Sequence, residues 1–235
     1  MNATPHQPES LHSRHSRLPQ ILFAAYVVVW VLAAIKPFNR QDWLLENVLV
    51  FAAVPVLVFT FRWFRFSNVS YVLIAAFLTL HAIGAHYTYS EMPVGNWLRD
   101  DWQFSRNHYD RVVHLLFGLL ISHPLWELLV RVARMRRGWA RVGAVHVVMA
   151  WSALYEIIEA MVAHLVSPEL GAAYNGIQGD IWDAQKDAAL AMTGAIITMT
   201  LAALFLERRR TEDSGQDQPR GSTTGCAPLE TRRSS

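Results

Sequence analysis

The sequence predicts an all-α, polytopic membrane protein of about six transmembrane helices, with its N-terminus and C-terminus in the cytoplasm. Three observations predict it. Long apolar runs recur six times along 235 residues. The charged residues, 17% of the chain, crowd into the short segments between those runs. Lysine and arginine alternate in density from one connecting segment to the next.

The apolar runs cover residues 18–35, 44–61, 70–85, 112–132, 142–166 and 188–206. Each approaches the roughly 20 residues that cross a hydrocarbon core of about 30 Å. In lipid every backbone polar group needs an internal partner, so helices or closed barrels are the options, and these runs lack the alternation of barrel strands. The first run follows Arg14 and Arg17 and is too long for a secretory signal. Leu32-Ala33-Ala34-Ile35 also makes a poor cleavage site, so the run reads as an uncleaved helix. The third is the shortest and is expected to extend into its polar neighbours.

Basic residues set the orientation. One set of alternate segments carries twelve of them, including Arg62, Arg65, Arg131, Arg134, Arg136, Arg137, Arg141 and Arg208 to Arg210. The other set carries six: Lys36, Arg40, Arg99, Arg106, Arg111 and Lys186. The richer set belongs in the cytoplasm, which places both termini there and requires an even number of crossings. Asp42, Glu91, Asp100, Asp101, Asp110, Glu169, Asp180, Asp183 and Asp187 then fall on the outer side, with Trp97, Trp102 and Trp182 near that interface. The domain reading is a disordered tail over 1–17, a membrane domain over 18–206, and a disordered tail over 207–235 rich in Ser, Thr, Gly, Gln and Arg.

Composition excludes several classes. The net charge is only +2, and no basic stripe is present, so nucleic acid is not an expected partner; membrane lipids are. The lone Cys226 permits neither an internal disulfide nor a thiolate metal centre. No internal repeat is evident.

Two outer segments, 86–111 and 167–187, are longer than a turn requires, and both carry unusual polar motifs. The first begins His86-Tyr87-Thr88-Tyr89 and ends Arg106-Asn107-His108-Tyr109-Asp110-Arg111, with His114 beyond. Asp110 and His114 share one helix face at a spacing of four, which suits metal chelation or proton sharing. A plain alternative makes Asp110 a helix N-cap and His114 a bond to a neighbouring helix.

The fifth run holds Tyr155-Glu156-Ile157-Ile158-Glu159. Glu156 lies about 21 Å along that helix from residue 142, in the outer third of the bilayer. A carboxylate deep in lipid costs about 2.5–3.5 kcal/mol on insertion scales and marks function by default. The alternative is a protonated glutamate that fixes packing. The second segment ends Gln178-Gly179-Asp180-Ile181-Trp182-Asp183-Ala184-Gln185-Lys186-Asp187. Its three aspartates, spaced i, i+3, i+7, predict one acidic face on a helix entering the membrane, although acids also suit a helix start. His81 and His123 read as interhelical bonds, His146 lies near the cytoplasmic end of the fifth run, and Glu127 reads as a partner for Arg131.

All these groups share one depth, so a joint site is expected. Glu156 or His114 would be a general base, with Glu159 beside them, and Asp110, Asp183 and Asp187 would hold a cation. Arg106 and Arg111, with His86 and Gln178 from the loop motifs, would face substrate. A donor set rich in oxygen, with imidazole and no thiolate, favours Mg²⁺, Mn²⁺ or Zn²⁺.

Together the motifs from His86 to Gly194 resemble those of the YjdF-like family of bacterial inner-membrane proteins. A fainter likeness links Asp110, Arg111, His114, Glu159, Asp183 and Asp187 to VanZ-like membrane proteins. The resemblance implies a bacterial inner-membrane protein acting in envelope or lipid chemistry and brings no established reaction. Three readings follow: a metal-assisted enzyme on a lipid-linked or envelope substrate at the outer leaflet, a transporter or proton/cation-binding protein, and a non-catalytic scaffold. The lack of inverted repeats weighs against the transporter.

Overall fold

The computed structural model describes residues 17–216; the expectations for residues 1–16 and 217–235, including Cys226, lie outside them. The described residues are helical and contain no strand. In order they form α1 (Leu18–Ala33), α2 (Arg40–Glu46), α3 (Val48–Thr60), α4 (Asn68–Tyr87), a 3₁₀ turn (Tyr89–Glu91), α5 (Pro93–Asp101), α6 (Tyr109–Arg131), α7 (Arg137–Leu165), α8 (Pro168–Asn175) and α9 (Asp183–Gln216).

Among the described residues, α4, α6, α7 and α9 through Phe205 are long and apolar enough to cross a membrane. α2 and α3 together would make a fifth crossing, bent by 42°. α1 is apolar but has 16 residues, about 24 Å of helix. The third run does extend into its polar flanks, since α4 runs from Asn68 to Tyr87.

Local chemistry explains the boundaries. Asn39 caps α2 by accepting from the N–H groups of Gln41 and Asp42 at 2.9 and 3.1 Å. The bend falls at Asn47, which is fully buried. Its amide donates to the Trp43 carbonyl at 2.7 Å, and its Oδ1 accepts from the Trp30 indole at 2.6 Å. Those bonds hold the break in place between α1 and α3. Ser67 caps α4, and Ser167 caps α8, where Pro168 fills the first helical position.

At the end where α4 begins, Glu127 ties α4 to α6. It accepts from the Ser67 N–H at 2.8 Å, the Ser67 hydroxyl at 2.9 Å, the Ser70 hydroxyl and Arg131. Glu127→Ala is expected to strand these donors and lower stability by about 1.5–3 kcal/mol. A lower thermal unfolding midpoint in detergent would show it.

Residues 86–111 and 167–187 are structured. The first holds the 3₁₀ turn and α5, and the second holds α8, which packs back on α7. A Cβ on Gly171 would lie 2.6 Å from the Ala163 carbonyl oxygen, so only glycine permits that approach. The described residues 17–199 form one compact unit.

Candidate functional site

Three helices meet on stripes of small residues spaced by four. On α6 the stripe is Asp110, His114 and Gly118; on α9 it is Asp183, Asp187, Ala191 and Ala195. On α7 it is Ala140, Ala144, Val148, Ser152 and Glu156. Ala140, Ala144, Val148, Ala191 and Ala195 are fully buried. Small side chains let helix backbones approach closely in lipid. A Cβ on Gly118 would sit 1.9 Å from the Ala191 carbonyl oxygen, and one on Gly194 would sit 2.3 Å from that of Leu115. The Thr198 hydroxyl adds a bond to the Leu119 carbonyl at 2.8 Å.

One turn from the Gly118–Ala191 contact, each stripe becomes polar. One donor atom from each of Asp110, His114 and Asp187 lies within 4.8 Å of the others. His114 is buried, with Nδ1 2.9 Å from the Ser152 hydroxyl and Nε2 3.6 Å from Asp110 Oδ1 and 3.2 Å from Glu156 Oε1. Asp187 is 1% exposed, and neither carboxylate oxygen has a hydrogen-bond partner. A buried carboxylate without partners is costly, which makes it the informative group here.

Asp183 has another occupation. It pairs with Arg106, which is 3% exposed, and lies 3.2 Å from Arg111. Arg106 also donates to the carbonyls of Gly176 and Ile177 at 3.1 and 3.2 Å. Gln178 brackets Asn107, accepting from its N–H at 2.9 Å and donating to its carbonyl at 3.2 Å. Asn107 Oδ1 in turn accepts from the Tyr109 N–H at 3.0 Å. Asn107 therefore secures the start of α6. Asp110 sits in the first turn instead of at the N-cap and is left free to face His114.

Asp180 precedes α9 and does not share its face, which corrects the three-aspartate stripe. It accepts from the Trp182 N–H and pairs with Arg111 and Lys186. Those partners, Lys186 first, hold its carboxylate below the usual range. Their stabilisation is thus present above about pH 4 and fades only as pH falls further. Burial, then the Arg111 and Arg106 charges, push the neighbouring His108 imidazole down, which favours its neutral form.

His86 stands apart, bonded through Nδ1 to the Ala33 carbonyl at 2.8 Å. Glu159 is buried within electrostatic reach of Asp110, Glu156 and Glu46. Sequence reasoning missed Glu46, which is 3% exposed and accepts from the Tyr155 hydroxyl at 2.8 Å. Its spacing of four from the buried Asp42 was the available signal. Ser152 was missed too; its place four residues before Glu156 carried the hint.

Residues 18–208 match the predicted membrane proteins DUF2238. The chain belongs to the DUF2238 family. Inner membrane protein YjdF of Escherichia coli (strain K12) is 32% identical over 179 residues, covering 76% of this chain and 85% of that relative. No solved structure matches. This DUF2238 chain is therefore an integral membrane protein with several apolar helices, and its matched region spans every group in the cluster.

Ser152 is positioned to orient the cluster's only ring. Were the cluster to hold a divalent ion, Ser152→Ala would weaken its binding about 10–100-fold, since a metal-ligating histidine depends on the partner of its other nitrogen. Titration calorimetry on the detergent-purified variant measures it.

Proposed function

We propose that this chain is a multi-pass inner-membrane protein that holds one divalent cation between Asp110, His114 and Asp187. It uses that ion on a lipid-linked or envelope substrate at the outer leaflet. The observation that carries the reading is the pair of unpartnered Asp187 oxygens, buried beside Asp110 and His114.

The donor set suits the chemistry. Two carboxylates and an imidazole are ligands for Mn²⁺ or Zn²⁺, with Mg²⁺ less favoured by the nitrogen. Ligation through His114 Nε2 puts the ring proton on Nδ1, which donates to Ser152. Glu156, 3.2 Å from His114 Nε2, is the group placed to take a proton from an attacking water. Arg106 and Arg111, already held by Asp183 and Asp180, serve to fix α9 against the start of α6.

The orientation follows the basic residues, with six crossings and both termini cytoplasmic. That puts the cluster on the outer side, and the name of the Escherichia coli relative supports the inner membrane.

Metal content tests the reading. Purified full-length protein, stripped with chelator and exposed to Mn²⁺ or Zn²⁺, is expected to retain about one ion per chain. Retention no greater than that of Asp187→Asn overturns it.

A second reading draws on the buried carboxylates Asp42, Glu46, Glu159, Asp187 and their neighbours, which extend from α2 to α9. Intramembrane acids in series suit a proton or cation relay. Ion uptake into proteoliposomes that Glu156→Gln abolishes would favour it.

A further inference from the structure

Two of the three cluster residues, Asp110 and His114, line a cavity of about 530 Å³ bounded by α3, α4, α6 and α7, with Asp187 behind them on α9. That size suits a small-molecule site, roughly 300–1,000 Å³. Its polar groups gather at one end, where Asp110, His114, Ser152 and Tyr155 contribute. His81 and Tyr89 also line it, but they bond each other at 2.6 Å, and His81 Nε2 meets the Glu46 carbonyl. The remaining walls are hydrocarbon.

The direction of the cavity is readable on α6. Its lining residues step from Asp110 and His114 through Phe117 and Ile121 to Leu125. The fifteen residue steps from Asp110 to Leu125 span about 22 Å, much of the hydrocarbon thickness. The cavity therefore lies along the helices, as a lipid chain does, with its polar end at the cluster. Val56 and Trp151 line it and are each more than half exposed, so it opens sideways between α3 and α7. In a bilayer that side faces lipid tails.

We propose that this groove binds a phosphate-headed lipid, seating one hydrocarbon chain along α6 and bringing the phosphate to the ion held by Asp110, His114 and Asp187. The inference rests on the cation reading above. Apolar walls select a chain. The head is anionic because it meets the cation; without the ion, the same carboxylates would repel a phosphate and attract an amine. Lateral entry lets the chain arrive from the bilayer while its head slides into the polar end.

The test uses full-length protein in a neutral glucoside detergent with Mn²⁺, read by native mass spectrometry. The probes are hexadecyl phosphate, hexadecylamine and hexadecanol. Hexadecyl phosphate is expected to bind at one per chain, about tenfold or more above hexadecanol. Chelator or Asp187→Asn removes it. Ala53→Trp, on the exposed α3 wall, weakens it about tenfold with Mn²⁺ content unchanged, and Ile121→Phe does the same from α6.

Mn²⁺ bound without any preference for the phosphate overturns the lipid assignment and leaves the cation reading standing. Hexadecylamine retained with no Mn²⁺ bound overturns both. Phosphate binding that neither groove variant weakens, or a dimer that Ala53→Trp dissociates, also overturns the assignment, the second by giving the groove to another copy of the chain.

Discussion

On the proposed cation site, Asp187→Asn is expected to abolish any stabilisation by Mn²⁺ or Zn²⁺ while leaving the metal-free protein as stable as before or more so. The sign follows from the environment. Without an ion, Asp187 is a buried carboxyl with no hydrogen-bond partner, beside the carboxyl of Asp110. The neutral amide of similar shape removes the cost of burying an ionisable group without partners. With an ion present, the same change deletes a ligand. At a metal concentration 100 times the dissociation constant, the wild type gains about 2.7 kcal/mol, and the variant gains close to none. Thermal unfolding in detergent, with and without metal, reads both effects.

Asp183→Asn, one turn away on the same helix, is expected to behave in the opposite way. Its carboxylate neutralises the buried Arg106 guanidinium, so its loss leaves an unpaired buried charge and costs about 3–5 kcal/mol even without metal. Two aspartates four residues apart thus separate ligand from support. Equal behaviour of the two variants would remove the distinction on which the site is built.

Much of this organisation was legible in the sequence. The apolar runs reappear as helices because lipid leaves the backbone few other choices. The Asp110–His114 pair was readable because a spacing of four on one helix is local information. The partners of Asp183 and Gln178 were not readable. They come from Arg106 and Asn107, more than seventy residues earlier, through a segment whose helices no apolar run marks. Glu46 is hard to read because it falls at the α2–α3 bend, between apolar residues, where an acid also suits a helix end, and its pairing with Tyr155 comes from more than a hundred residues later. The sequence also could not say that Asp110 is spared capping duty, since that depends on Asn107 reaching the Tyr109 N–H.

Gly118→Val is expected to cost both the fold and the site. A Cβ there would lie 1.9 Å from the Ala191 carbonyl oxygen and 2.8 Å from the Ala195 nitrogen. Both are backbone atoms, so α6 and α9 must move apart. Overpacking of this kind costs about 1–3 kcal/mol, and backbone collision belongs at the upper end. The displacement falls one turn below the cluster, so it also carries His114 away from Asp187. The variant should therefore show a lower unfolding midpoint together with lost Mn²⁺ retention. Gly118→Ala should show both losses to a lesser degree. Gly138→Ala is the contrasting case, because nothing lies within 4 Å of its added Cβ near the start of α7. It should change stability by no more than about 1 kcal/mol, toward stabilisation, and leave metal retention intact. If Gly118→Val kept both properties, the close approach of α6 and α9 could not be what brings His114 to Asp187.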